Sequence, residues 1–596
     1  MRETARKAAL LATWVDSVDS SISLQKRRKG TAIQAPDDRP IESDGEPAPD
    51  HHHEDIDTAS TASRAPLPVT DWVVFGISAV ASVAVVVWGV RGTGSLAAAA
   101  NTSLAWLVDN LSWFFVASAT GFVAFSAWVA ISRYGRIPLG QDGEKPEFRT
   151  ISWVAMMFSA GMGIGLMFFG VSEPLTHFVE TPPGARPGVG TAMATTLFHW
   201  TLHPWAIYAV VGLALAYGTF RKGRPQLISA AFGPLLGERR ANGPAGRVID
   251  ILAIFATLFG SAASLGLGAL QIGAGLVNLG WLSSVGVLVL GSLIAVLTVA
   301  FVASAVSGIA RGIQWLSNIN MVLAILLAVF VFVVGPVAFI LNLVPTAIGD
   351  YFRDFAAMSA RTPAGGADTT TWLSTWTIFY WAWWISWAPF VGMFIARISR
   401  GRTIRQFVIG VIAVPSLVSL VWFAIFGGSA IKAQQTGNDI AGSGDPEGQL
   451  FALLGTSPLV GVTSLLVVVL VAIFFVSGAD AASLVLGTLS QRGTHSPRRW
   501  AVVFWGVLVG AVAFVMLLLG GEAALDGLET LTILAGAPFA VIMVGLCVAL
   551  ARDLRNDPMM VADRRVRRRL RRQTSQEMEA PVAGEDADQR RGSREE

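Results

Sequence analysis

The sequence predicts an all-α polytopic membrane protein with twelve transmembrane helices, and three observations carry that expectation. Hydrophobic residues make up 53% of the 596 and charged residues only 14%, with a mean hydropathy of +0.56, far from the balance of a water-soluble chain of this length. Apolar runs long enough to cross a bilayer, about 20 residues at 1.5 Å rise each, recur along most of the chain, and short alternating strands of the barrel type are absent. The basic residues collect in alternate loops. Eighteen (Arg133, Arg136, Lys145, Arg149, Arg221, Lys222, Arg224, Arg239, Arg240, Arg247, Arg311, Arg397, Arg400, Arg402, Arg405, Arg492, Arg498 and Arg499) fall on one side, against Arg91, Arg186, Arg353, Arg361 and Lys432 on the other. This positive-inside bias predicts an even number of spans, with both termini on the cytoplasmic side of a plasma (inner) membrane.

Residues 1–68 are polar, rich in Ser, Asp, Pro and Ala, and include His51, His52 and His53; they read as a disordered cytoplasmic tail. No cleavable leader is expected, because the first long apolar run begins only near Val69. Spans are predicted over 70–90, 106–131, 150–171, 190–218, 248–279, 282–305, 315–343, 372–398, 405–431, 458–489, 498–519 and 529–551, a transporter-like core covering 69–551. Between the seventh and eighth, over 346–361, Ile348, Tyr351, Phe352, Phe355 and Met358 recur at helical spacing among charges, which predicts an amphipathic helix on the periplasmic surface. Residues 552–596 form a basic cytoplasmic tail in which Arg564, Arg565, Arg567, Arg568, Arg569, Arg571 and Arg572 crowd together. It either lies against anionic lipid or an acidic partner, or is a solvated helix that fixes topology. A single cysteine, Cys547, excludes a disulfide framework.

The chemistry concentrates in four of the spans. The third reads S-A-G-M-G-I-G-L-M-F-F-G, with Gly161, Gly163, Gly165 and Gly170; each glycine weakens a helix by about 1 kcal/mol relative to alanine. Local unwinding there would expose amides and carbonyls able to meet an ion or a carboxylate; close helix packing through small residues is the competing account. The eighth carries W-A-W-W-I-S-W from Trp381 to Trp387, four indoles in seven positions. Indole faces attract quaternary ammonium groups when arranged as a cage, although tryptophans also serve as interfacial belts. The fourth, F-H-W-T-L-H-P-W-A-I-Y, offers Trp200, Trp205 and Tyr208 as a second aromatic wall, with a bend expected at Pro204. His199 and His203 stand at i and i+4, a metal-like spacing, but with only seven histidines, three of them in the tail, the ligands are too few for a membrane-embedded di-iron oxidase, and hydrogen bonding is the expected role. The tenth span is read as interrupted at F-F-V-S-G-A-D, where Ser477 offers a hydroxyl oxygen and Gly478 a carbonyl. An acid inside a span is a functional candidate, and Asp480 could carry a proton or pair with a buried arginine. No G-x-x-x-x-G-K-[ST] loop is present, which argues against drive by ATP. No ring of charges or carbonyl filter suggests a gated channel, the alternative from another class. No enzymatic activity and no nucleic-acid partner are expected.

Together, G-M-G-I-G, F-H-W-T-L-H-P-W-A-I-Y and W-A-W-W-I-S-W-A-P-F-V-G-M-F-I-A-R-I-S-R-G-R-T resemble the betaine/choline/carnitine transporter family, most closely its osmotically regulated glycine betaine symporters, over residues 70–560. The resemblance implies a LeuT-type fold, two inverted five-helix repeats over about 150–343 and 372–551 preceded by two extra helices. It also implies alternating access around a site at the midplane. It places the aromatic box on Trp200, Trp205, Tyr208 and Trp384, with Trp383 and Trp387 along the path. The glycine segment Gly161, Met162, Gly163 and Gly165 would meet the substrate. Na⁺ ligation would fall to Phe474, Ser477 and Gly478 with Thr257 and Ser261, although members commonly carry a second hydroxyl where this chain has Gly478. The neutral glycine segment favours a zwitterion such as glycine betaine, whereas choline carriers of the family tend to place an aspartate there. The alternative is H⁺-coupled import of choline, ectoine or proline betaine. No cofactor is expected beyond Na⁺ as the coupling ion. A homotrimer and an osmosensing tail are further implications of the resemblance.

Overall fold

Uninterrupted apolar sequence has only its own backbone to bond to inside a bilayer, and helices are what it forms. The computed structural model describes residues 69–161, 163–307, 310–443, 445–494, 496–521 and 523–579, and their regular elements are all helical. The predicted tail 1–68, residue Met162 and the end of the basic tail from 580 onward lie outside the described residues.

Two leading helices, α1 (Trp72–Arg91) and α2 (Thr93–Ile131), are separated by Gly92 alone. The second therefore starts thirteen residues before its predicted boundary, extended by an Ala-rich stretch of high helix propensity. Asp71 caps α1, accepting from the amides of Val73 and Val74 and pairing with Arg247 at 3.2 Å. The next crossings are α3 (Thr150–Gly161) with α4 (Ile164–Val179), α5 (Val189–Trp200) with α6 (Leu202–Ala216), α7 (Pro244–Asn278), α8 (Val287–Ser307) and α9 (Ala310–Val334). After α10 (Val337–Ser359) come α11 (Ala367–Ile398), α12 (Ile404–Gln435), the short α13 (Pro446–Gly455), α14 (Val460–Ser490), α15 (Arg499–Gly520), α16 (Ala524–Arg555) and α17 (Pro558–Glu579). Two leading helices are thus followed by one group of helices over 150–334 and a second over 367–555.

Ten helical runs among the described residues are long and apolar enough to cross a membrane, or eleven with a bent pair counted as one. The remaining predicted span is the pair α3 and α4, of 12 and 16 residues. At 1.5 Å per residue these are about 18 and 24 Å long, each short of a hydrocarbon core of roughly 30 Å. Twelve crossings are reached only when this interrupted pair counts as one.

Two readings of the sequence need correction. The seventh span does not run to 343 with a separate surface helix over 346–361. It stops at Val334, and α10 departs from it at 108°, because Pro336 lacks an amide and ends the ladder directly after Gly335. α10 then starts at Val337, burying Ile340, Leu343, Ala347, Tyr351 and Met358 while Phe352 stays exposed. The tenth span is not interrupted either: α14 runs 31 residues through Ser477 and Gly478. The Ser477 hydroxyl donates back to the carbonyls of Ile473 (2.8 Å) and Phe474 (3.2 Å), so its polarity is absorbed within the helix.

α11 runs through the centre of the bundle against α6, α7 and α16. Close approach depends on glycine pairs. A Cβ on Gly392 would lie 2.7 Å from Val211 and 3.1 Å from the Gly212 amide, and one on Gly536 would lie 2.7 Å from the Ala382 carbonyl. Small residues at these crossings let backbones pack without intervening side chains.

Candidate functional site

Two local breaks in helical order meet at one cavity, and a third precedes its tryptophans in the chain. The first is the glycine segment, where α3 ends at Gly161 and α4 restarts at Ile164 behind an extended Gly163. The second follows from Pro204, which cannot donate to the carbonyl of Trp200 four residues back. The helix breaks at Thr201 (φ −119°, ψ −106°), ending α5 on Trp200 and starting α6 at Leu202. The third is a wide turn at Ser374–Ile378, inside α11 and ahead of the tryptophan run.

The cavity has a volume of about 290 Å³. Of the residues singled out in the sequence, Gly163, Gly165, Trp200, Trp205, Tyr208, Trp383, Trp384 and Trp387 line it, and so do Ser261, Phe474, Ser477 and Gly478. Thr257 is not among the lining residues; it is buried one turn before Ser261, with its hydroxyl donating to the Ala253 carbonyl. Among the described residues, no Asp, Glu, Lys, Arg or His side chain lines the cavity.

The rings meet edge to face. Trp384 lies 5.1 Å from Trp200 at 88° and 5.7 Å from Tyr208 at 80°, and Trp205 lies 5.4 Å from Tyr208 at 78°. Trp383 stacks on Trp384 at 5.4 Å. Each of four indole N–H groups has a fixed acceptor: Trp384 donates to the His199 carbonyl (3.0 Å), Trp383 to Ser264 Oγ (3.1 Å), Trp387 to the Gly260 carbonyl (2.7 Å) and Trp200 to Glu173 Oε2 (2.6 Å). With the N–H groups tied away, the apolar ring faces are what remains for a ligand. Gly165 is what lets two of them in, since its Cβ would stand 2.6 Å from Trp383 Cη2 and 2.9 Å from Trp200 Cη2.

Glu173, which the sequence reading missed, sits beside the cage. Its carboxylate also accepts from the Tyr380 hydroxyl at 2.5 Å and lies 2.7 Å from His199 Nδ1, while His199 Nε2 is 3.0 Å from Thr377 Oγ1. A neutral imidazole with its proton on Nδ1 satisfies both contacts. Glu173, His177 and His199 together offer ligand atoms within 4.8 Å of one another, a composition that could hold a metal. The carboxylate is already engaged by three donors, from His199, Trp200 and Tyr380, whereas both ring nitrogens of the buried His177 lack a hydrogen-bond partner, Nε2 standing 3.5 Å from Glu173 Oε1. His203 turns elsewhere, stacking on Trp381 and meeting Thr120 of α2 at 3.3 Å. Asp480 is half-buried on α14 and does not line the cavity. Glu173 was detectable by the rule applied to Asp480, that an acid inside a span is costly; it escaped notice because the predicted span ended at 171, whereas α4 runs to Val179.

The basic tail lies apart from the cavity. Asp553 and Asp557 close R-D-L-R-N-D-P onto the end of the α6 region: Arg224 pairs with Asp553, and Arg221 reaches Asp557 at 3.0 Å and Asp142 at 2.6 Å. Burial works to raise the Asp557 pKa, but hydrogen bonds from Arg221, Tyr217 and the Met559 amide outweigh it and hold the carboxyl below its ordinary range. Beyond this clasp, α17 carries Arg564, half-buried and donating to the Arg555 carbonyl at 2.6 Å, then Arg565, Arg567, Arg568 and Arg569, all exposed.

A helical membrane bundle around a small, uncharged, aromatic-lined cavity at a helix break defines a multi-pass transporter of a small solute. The chain belongs to the betaine/carnitine/choline transporter family, whose profile matches residues 73–559. It is 44% identical over 500 residues to the betaine/ectoine transporter LcoP of Corynebacterium glutamicum, covering 83% of this chain and 79% of that one. It is likewise 44% identical over 491 residues to the glycine betaine transporter OpuD of Bacillus subtilis (81% and 93%) and 43% identical over 488 residues to a probable glycine betaine transporter of Desulfitobacterium hafniense (81% and 97%). A solved structure of a Na⁺-coupled sialic acid symporter, substrate-bound and outward-open, overlaps 74% of this chain and 86% of that one at 13% identity and a TM-score of 0.40, too weak a likeness to place a residue.

Proposed function

We propose that the chain imports a zwitterion bearing a quaternary ammonium group, glycine betaine first among them, by Na⁺-coupled symport with alternating access. The observation that carries this reading is the cavity itself, aromatic on its walls and, among the described residues, free of charged side chains. A bare cation would lose its hydration there with no counter-ion, whereas a zwitterion brings its own carboxylate and leaves no net charge to bury. Indole faces then stabilise the ammonium end, and the amides freed at the α3–α4 break suit the carboxylate end. The names of the relatives from Corynebacterium and Bacillus support the same solute class.

Ser261 and Ser477 bring oxygen atoms to the same cavity, and Ser477 keeps lone pairs available after donating its proton to the helix. Those atoms suit Na⁺, a hard cation that takes oxygen ligands. At Gly478 a Cβ would meet nothing within 4 Å, so a hydroxyl residue fits there without displacement. Accordingly Ser477→Ala is expected to raise the half-saturating Na⁺ concentration severalfold and Gly478→Ser to lower it. Uptake indifferent to Na⁺ in the parent would remove the site. The direct test is uptake of radiolabelled glycine betaine into proteoliposomes under an imposed Na⁺ gradient or an imposed proton gradient. Uptake under the Na⁺ gradient alone supports the symport; uptake under the proton gradient alone moves attention to Asp480.

By the positive-inside bias, the end of the bundle carrying Arg397 faces the cytoplasm, which also holds both termini. The exposed arginines of α17 suit anionic lipid, and homotrimer assembly and osmotic regulation through the tail are carried over from the family resemblance. Deleting the chain from Arg564 onward, which keeps the Arg221–Asp557 clasp, is expected to leave uptake insensitive to osmolality. A retained activation curve would refute a sensing role for the basic segment.

A further inference from the structure

The cavity is open on one side and sealed on the other. Its lining extends through Phe390 to Phe394, toward the Arg397 end of α11, and Phe394 is 38% exposed. In the opposite direction the cage gives way to packed polar side chains from three helices, with Glu173, His177, His199 and Tyr380 all fully or nearly fully buried. Beyond them the His177 ring lies 4.6 Å from Trp376, and the Arg361 guanidinium lies 4.6 Å over Trp372.

One carboxylate joins these parts. Glu173 on α4 holds Trp200 and His199 of α5 and Tyr380 of α11 at the same time, and His199 continues the chain to Thr377 at the wide turn of α11. These contacts cross between the first and second crossings of the amino-terminal half and the first crossing of the carboxy-terminal half. Movement of α11 away from α4 and α5 at this end, which an opening there requires, must separate Tyr380 and Thr377 from Glu173 and His199. Each donor would then need a new partner in a dry interior.

We propose that Glu173 is a positioning residue that latches the end of the cavity remote from Arg397, holding Trp200 in the cage and α11 against α4 and α5 while the other end is open. The proposal rests on the alternating-access reading above. Its test uses no solute, so its outcome stands apart from the identity of the substrate or coupling ion.

The sole cysteine, Cys547, is replaced by alanine and a reporter is placed in the cavity as Leu265→Cys, at a buried lining position. A membrane-impermeant thiol reagent is applied separately to each face of sealed vesicles holding the full chain. In the Glu173 parent, labelling is expected from the Arg397 face only. Glu173→Gln, which retains one acceptor oxygen of two, is expected to raise the rate from the opposite face at least tenfold. Tyr380→Phe, which deletes a single donor and keeps the ring, is expected to raise it severalfold and carries the test by itself if the glutamine variant does not fold. Labelling from the opposite face at the parental rate in the folded variants would overturn the latch. So would equal acceleration from both faces, which marks general loosening.

Discussion

Replacing Trp384 with leucine is expected to raise the apparent KM for glycine betaine at least tenfold, a loss of about 1.4 kcal/mol. Trp384 is the ring on which the two aromatic walls meet, edge to face with Trp200 and Tyr208 and stacked on Trp383. Leucine keeps apolar bulk and removes the electron-rich face, which is worth about 2 kcal/mol to a desolvated cation. It also removes the donor that the His199 carbonyl uses, leaving a part-buried acceptor short of a partner at a cost of about 1–3 kcal/mol. Trp384→Phe separates the two effects, since it restores a ring face without the N–H and is expected to fall between parent and leucine variant. Initial rates of radiolabelled uptake across a range of solute concentrations decide the matter. An unchanged KM in a leucine variant that inserts at the parental level would mean that the cage does not bind the solute.

Composition and the length of the apolar runs were enough to read an all-helical membrane bundle, because inside a bilayer a continuous apolar run can satisfy its backbone only as a helix when alternating strands are absent. The aromatic residues were legible for a similar reason: indoles packed this densely have few uses in a span. Legibility failed where the outcome depends on which neighbour arrives. Ser477 and Gly478 looked like a helix break, and only the back-bonding of the Ser477 hydroxyl within α14 shows why they are none. Gly335 and Pro336 were in plain view, but a hydropathy run cannot report that the chain turns through 108° there. Glu173 was concealed by a boundary placed too early, and its partners Tyr380 and His199 are 207 and 26 residues away. The four glycines of the third span were seen as one feature. The structure divides them: Gly161 and Gly163 stand at the interruption, Gly165 faces the cage, and a Cβ on Gly170 would meet Trp422 Nε1 at 2.7 Å.

That division makes Gly165→Ala the second large effect, with uptake expected to fall at least tenfold from the addition of one methyl group. The added carbon would stand 2.6 Å from Trp383 Cη2 and 2.9 Å from Trp200 Cη2, well inside contact distance, so a ring or the α4 backbone must move. Neither ring is free to yield. Trp383 is held by Ser264 and Trp200 by Glu173, and both are at least 96% buried, at 4% and 3% exposure. Overpacking of this kind in a close-packed interior typically costs about 1–3 kcal/mol, and here the displaced atoms are the binding surface itself, where an ångström of misplacement is felt directly. Gly121→Ala in α2 is the control, because its Cβ meets nothing within 4 Å and alanine is the better helix former; it is expected to transport as the parent does. If the two alanine variants transport alike at equal expression, the rings are not constrained as described. If Gly165→Ala alone fails and Trp383→Phe on the same background recovers part of the activity, the loss lies in ring placement, because shortening the indole removes the atom that the new methyl group would strike.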